Sequence, residues 1–179
     1  MFRRELGAST TIVDDKRGCS SIAIRSNELS TDLAKFGVVP RKTTSAYLPP
    51  VPAQYIRHLL RGILDGDGCI QSHLMHSGKH RHEIGFCGTP QLMHDIKTHL
   101  EATLCLSERK IYTYSSTFAQ VCWNRIQDLH AIGTYLYDDA TVYLSRKYDL
   151  LQDFLHHYNL PYGDSEVTGS LKGCPHRNA

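Results

Sequence analysis

The chain of 179 residues contains no CxxC pair, one Trp, three Met and a net charge of only +2. Each shortage excludes something. No run approaches the roughly 18 apolar residues that a membrane-spanning helix needs. The start, Met1-Phe2-Arg3-Arg4-Glu5-Leu6-Gly7, lacks the apolar stretch of a signal peptide. The six cysteines, at 19, 69, 87, 105, 122 and 174, show no zinc-site spacing. Cys69, Cys87, Cys105 and Cys122 lie in or beside apolar segments, where buried free thiols are expected. The set reads as that of a reduced intracellular protein, cytoplasmic or nucleoid-associated and not secreted. A charge of +2 permits nucleic-acid binding without arguing for it. What remains is a globular composition, 41% hydrophobic and 21% charged, with length for one domain or one domain plus a fragment.

Periodicity predicts the elements. Residues 21–25 alternate like a short strand. Ser26 is an N-cap for a helix with Leu29, Leu33 and Phe36 on one face, ended by Gly37. A polar, Pro-rich segment over 43–53 reads as a linker. Pro49, Pro50 and Pro52 then precede a helix on which Ile56, Leu59, Leu60, Ile63 and Leu64 form an apolar face. Cys69–Met75 and Arg81–Cys87 read as a hairpin with a Ser77-Gly78 turn. Thr89 caps a helix from Pro90 to about Leu104. Lys110–Tyr114 and Thr117–Trp123 form a second hairpin rich in β-formers. Helices follow over about 124–137 and 140–157, and the Gly/Ser/Pro-rich tail from Asn159 reads as loose. Leu29, Asp32 and Leu33 match Leu92, Asp95 and Ile96 at a shift of 63, a weak internal repeat.

The stretch Leu60-Arg61-Gly62-Ile63-Leu64-Asp65-Gly66-Asp67-Gly68 carries the chemistry. Gly62 and Gly66 lie four apart and stack on one helix face. Each costs about 0.5–1 kcal/mol relative to alanine inside a helix, so the pair makes sense where a second helix backbone approaches closely. Carboxylates at a helix C-terminus meet the unfavourable end of the dipole. Asp65 and Asp67 are two apart and do not share a face, so they have different jobs. One can bond locally to the turn, while the other can project as a ligand for a hard cation such as Mg²⁺.

These nine residues resemble the motif that names the LAGLIDADG homing endonucleases. Lys35–Thr43 and Tyr135–Lys147 resemble the linker-side and C-terminal signatures of two-copy members. The resemblance implies an α+β fold of order αββαββα with an antiparallel four-stranded DNA-binding sheet. It implies residues 46–158 as the endonuclease domain, 1–45 as the remnant of a first repeat or an extension, and 159–179 as a tail. It implies hydrolysis of phosphodiester bonds in double-stranded DNA with Mg²⁺ or Mn²⁺. Asp67 would be the catalytic carboxylate and metal ligand, with the Gly66 carbonyl beside it. Gly62, Gly66 and Ile63 would form the interface with a second motif helix, supplied by a homodimer partner or a missing first repeat. The sheet face would present His73, Lys79, Arg81, Arg109, Lys110, Tyr112, Tyr114 and Gln120 to DNA, with His82 also on the first hairpin, and Arg125 and Lys147 would add DNA contacts. The family's basic residue near the last strand has no lysine here, leaving Lys110, Arg125 or Lys147 to substitute. With one motif in the chain, the alternatives are a DNA-binding regulator or maturase-like protein without cleavage, or a truncated piece of a two-repeat enzyme.

Overall fold

The computed structural model describes residues 10–14, 20–39, 45–158 and 160. The chain divides into two compact units, residues 1–40 and 41–179. The tail read as loose lies outside the described residues, apart from Leu160.

In the first unit, β1 (Val13–Asp14) pairs antiparallel with β2 (Ser20–Ser21). The strand expected over 21–25 stops at Ser21, where the two-residue ladder runs out of partners. α1 (Asn27–Lys35) begins at Ser26, whose hydroxyl accepts the Leu29 N–H at 3.1 Å. It ends at Gly37, which takes φ +73°, a conformation glycine adopts without a Cβ clash.

The second unit runs α2 (Ala53–Gly66), β3 (Cys69–Leu74), β4 (His80–Gly88), α3 (Pro90–Leu104), β5 (Tyr112–Thr113), β6 (Ala119–Trp123), α4 (Ile126–Tyr137) and α5 (Ser145–His157). The four strands form one antiparallel sheet of order β3-β4-β6-β5. The class is α+β, and the expected αββαββα order is present with α5 added. Strand alternation divides the sheet faces. Ile84, Phe86, Ala119, Val121 and Trp123 turn toward the helices and are buried with Leu60 and Leu64 of α2, Ile96 of α3, Ile132 of α4 and Leu151 of α5. α3 starts as α1 does: the Thr89 hydroxyl accepts the Leu92 N–H at 3.1 Å. The repeat at a shift of 63 therefore extends to the cap, Ser26 against Thr89.

In this unit β5 and α5 fall furthest short of their sequence prediction. β5 holds only Tyr112 and Thr113, leaving Lys110 and Tyr114 outside the strand. α5 begins at Ser145 instead of near 140, because side chains of α2 engage the segment before it. The Arg57 guanidinium meets the Asp139 carboxylate at 2.7 and 2.9 Å. Arg61 donates to the carbonyls of Leu136 at 2.7 Å and Val142 at 3.0 Å. Backbone groups held this way do not close helical hydrogen bonds.

Candidate active site and nucleic-acid face

Arg57, Arg61 and Asp65 are spaced by four and form one stripe of α2. Asp65 accepts the Tyr137 hydroxyl at 2.6 Å and the Leu144 N–H at 3.0 Å. Its task is therefore to tie the end of α2 to the α4–α5 connection, not to bond within its own turn. Lys147 completes the fastening. Its ammonium donates to the carbonyls of Leu64 at 2.6 Å, Asp65 at 3.0 Å and Gly68 at 2.5 Å. A cation at a helix C-terminus answers the negative end of the dipole and the carbonyls left without helical partners. Lys147 is 2% exposed. Burial, and next the charge of Arg146, pull its pKa below the ordinary lysine value, against Asp65, Cys69 and Asp67.

Asp67 is the C-cap of α2, held by N–H bonds from Asp67 to the Ile63 carbonyl and from Gly68 to the Ile63 and Leu64 carbonyls. Its backbone carbonyl accepts the Cys87 thiol at 3.0 Å. Its carboxylate is exposed and makes no hydrogen bond or ion pair among the described residues. Gly68 is a glycine for a steric reason. A Cβ there would lie 2.8 Å from the Gly85 carbonyl and 2.9 Å from the Leu64 Cα. Cβs added at Gly62 or Gly66 would meet nothing within 4 Å. With exposed Tyr55 and half-buried Leu59 they form a face of α2 that this unit leaves open. Ile63 is the third residue of the expected interface set. It is half-buried and packs against the chain's own core.

The helix-free face of the sheet lies next to Asp67. Register aligns His73 with Arg81, Gln71 with Glu83, Cys69 with Gly85 and Cys122, and Cys87 with Gln120 and Tyr112. His73, Arg81, Tyr112 and Gln120 are thus on the expected face, Lys79 is exposed in the turn between β3 and β4, and Lys110 and Tyr114 are exposed beside β5. Lys110 sits 5.7 Å from the Tyr112 ring centroid. Arg125 is exposed ahead of α4.

Three expectations need correction. Lys147, expected to contact DNA, is buried under α2 with its ammonium on backbone carbonyls. Arg109 is half-buried, and its Nη2 donates to Asn124 at 2.8 Å and Asp128 at 3.5 Å, which turns that end of the guanidinium into the fold. His82 alternates to the helix-facing side with Ile84. The cysteines also differ from their reading as core residues. Cys69, Cys87 and Cys122 are half-buried on the helix-free face, and Cys105 is exposed. Burial is the leading cause raising all three sheet thiols, Cys122 to about 12. They remain protonated at neutral pH.

Sequence reasoning missed Arg57, Arg61 and Tyr137. The i, i+4, i+8 spacing of Arg57, Arg61 and Asp65 was available as a signal. Their partners, some 72–82 positions away, were not.

Among the described residues no group of three His, Cys, Asp or Glu side chains is arranged to hold a metal ion. One chain offers the Asp67 carboxylate and backbone carbonyls. That set suits a hard cation that keeps most of its waters and takes further oxygens from phosphate or a second carboxylate. Among the described residues no helix is long and apolar enough to cross a membrane.

No family model matches the chain, and no curated protein matches it. Solved structures do. The group I intron-encoded homing endonuclease I-CeuI complexed with DNA is 14% identical over 74% of this chain and 70% of its own, with a TM-score of 0.47. The homing endonuclease I-CvuI in complex with its target is 16% identical over 57% and 65%, TM-score 0.46. The LAGLIDADG meganuclease I-AabMI bound to uncleaved DNA is 14% identical over 57% and 37%, TM-score 0.46. The match spans less than two thirds of the I-CvuI and I-AabMI chains. The geometry of the site stands on this chain's own residues.

Proposed function

We propose that this chain is a homing-type DNA endonuclease that hydrolyses phosphodiester bonds with Mg²⁺ or Mn²⁺. One observation carries the reading: the unpaired, exposed Asp67 carboxylate stands at the end of a helix whose Gly62/Gly66 face is open, beside the helix-free face of the sheet. In this reading a second motif helix, from another copy of the chain or from a first repeat, packs on Gly62 and Gly66 and brings a second carboxylate to the first. Divalent metal bound between them supplies an activated water and neutralises charge on the leaving oxygen. The Asp67 carboxylate and the Gly66 carbonyl are the ligands from this chain. Lys147 leaves the Gly66 carbonyl uncovered while it holds those of Leu64, Asp65 and Gly68, and it keeps the end of α2 in place. It is taken as the basic residue of the site, ahead of Lys110 and Arg125, because its ammonium sits on the carbonyl of Gly68, next to Asp67. His73, Lys79, Arg81, Lys110, Tyr112, Tyr114, Gln120 and Arg125 offer donors and rings to phosphates and base edges.

A single carboxylate per chain favours a second reading, in which the protein binds DNA without cutting it. The two separate in one assay. Supercoiled plasmid carrying a randomised target pool is incubated with wild type and Asp67→Asn in Mg²⁺ and in Mn²⁺. Nicking or linearisation by wild type, lost in Asp67→Asn while DNA binding persists, is the expected result. DNA binding by wild type with no cutting in either metal would sink the enzyme reading and leave the binder.

A further inference from the structure

Away from the site, the outer half of the β3–β4 hairpin buries almost nothing, and residues 71–81 are all exposed. Alternation turns His80 and His82 to the helix-facing side, the side of Ile84 and Phe86. There they meet the end of α5. The His82 ring centroid lies 4.9 Å from that of Phe154, 5.6 Å from Tyr158 and 6.0 Å from His157. His80 lies 6.0 Å from His82 and 6.1 Å from His157. Three imidazoles, two on β4 and one on the last turn of α5, thus form a nearly equilateral triangle backed by Phe154 and Tyr158.

We propose that His80, His82 and His157 form a pH-sensitive latch, which holds the last turn of α5 against the outer hairpin while the rings are neutral and releases it when they are protonated. Neutral imidazoles pack as flat rings against Phe154 and Tyr158. Protonated ones repel across 6 Å. The titratable groups facing His82 are His80 from its own strand and His157 and Tyr158 from α5. Arg81 and Glu83 alternate to the other side of the sheet, Ser72 of β3 bonds His80 at 3.2 Å, and Asp153 and His156 of α5 are exposed. Among the described residues no carboxylate lies within ion-pair distance of the three rings. The His82 Nε2 is buried with no protein acceptor among the described residues, so an added proton there gains no hydrogen bond. Burial first, then the charges of His157 and His80, hold His82 below its ordinary value. The sign follows: docking is complete above about pH 6.5 and weakens as pH falls below it. His73 and Arg81 ride on the same hairpin, so release shifts where the helix-free face presents them. The latch is independent of whether the chain cuts DNA.

The test is amide hydrogen exchange on the full chain at about pH 7.5 and about pH 5, corrected for intrinsic rates. Protection at residues 154–158 should fall by about tenfold or more, while α4 keeps its protection. His82→Phe retains the ring against Phe154 and cannot titrate, so it should hold that protection at the lower pH. Should His82→Phe fail to fold, the double variant His80→Gln/His157→Gln replaces it. With two of the three charges gone, it should lose clearly less protection than wild type. The proposal is overturned if wild type keeps its protection at low pH, or if the variant that folds loses as much as wild type. It is also overturned if Zn²⁺ at neutral pH protects the turn through these histidines, which would make the cluster a metal site.

Discussion

Gly68 shows how a single residue can be required by its neighbours and not by its own conformation. Its Cα lies so near the Gly85 carbonyl and the Leu64 backbone that a methyl group has no room. Gly68→Ala should cost about 1–3 kcal/mol in chemical denaturation, the usual range for overpacking. Lys147 is required for a different reason. Lys147→Met leaves three carbonyls without their ammonium, and each buried acceptor without a partner costs about 1–3 kcal/mol. A loss of about 3 kcal/mol or more in the same measurement is expected. An unchanged denaturation midpoint would mean that water replaces the ammonium, and that the lysine does not hold the helix end. Neither residue's environment was legible locally. Gly68 was read as part of a motif, and Lys147 as a surface cation, because the strand and helix end that surround them come from distant parts of the chain.

At the scale of elements, α2 presents three faces with separate tasks. Leu60 and Leu64 enter the core, Arg57, Arg61 and Asp65 fasten the 138–144 segment, and Tyr55, Gly62 and Gly66 stay open. The apolar face and the glycine pair could be read from spacing. The polar stripe could be seen but not interpreted. The same stripe explains why α5 starts five residues later than its periodicity suggests. Asp65→Asn weakens the acceptor of the Tyr137 hydroxyl and the Leu144 N–H. It should raise hydrogen exchange at residues 142–146 with little change in β4 and β6. Equal loss of protection across the sheet would show instead that the contact supports the whole unit. The open face yields a sharper prediction. A Cβ at Gly62 meets no atom within 4 Å among the described residues, so Gly62→Ala should gain about 0.5–1 kcal/mol from helix propensity. If that face docks a second helix, the same variant should weaken self-association and cutting. A variant that is more stable and also self-associates and cuts as wild type would exclude the face as an interface.

For the whole molecule, two properties follow from the sum of its groups. Burial is the leading cause holding His58, His82 and His99 below the ordinary histidine value. The unfolded chain therefore takes up protons that the folded chain resists as pH drops below about 6.5. The urea midpoint should be level between about pH 6.5 and 8 and fall between about pH 6.5 and 5. A midpoint that rises on acidification would contradict histidines that the fold keeps neutral. The second property is mass in solution. The proposed site needs two motif helices, and the described residues contain one such helix. A dimer by sedimentation, lost in Gly62→Ala, fits a composite site, whereas a strict monomer at high concentration leaves one carboxylate per particle and favours binding without double-strand cleavage.

The amino-acid order by itself determined the element types of the second unit, the caps at Ser26 and Thr89, and the helix that ends in Asp67. These follow from local periodicity, from backbone donors needing nearby acceptors, and from the cost of glycine and aspartate at a helix end. Tertiary structure alone decided which residues share a surface. It drew Lys147 and the Nη2 end of Arg109 into hydrogen bonds within the fold, took Cys69, Cys87 and Cys122 out of the core, and brought His157 to His80 and His82. The reason is that side-chain alternation and helix packing fix orientation only once register and partners are set, and those depend on contacts across some 70–80 residues of chain.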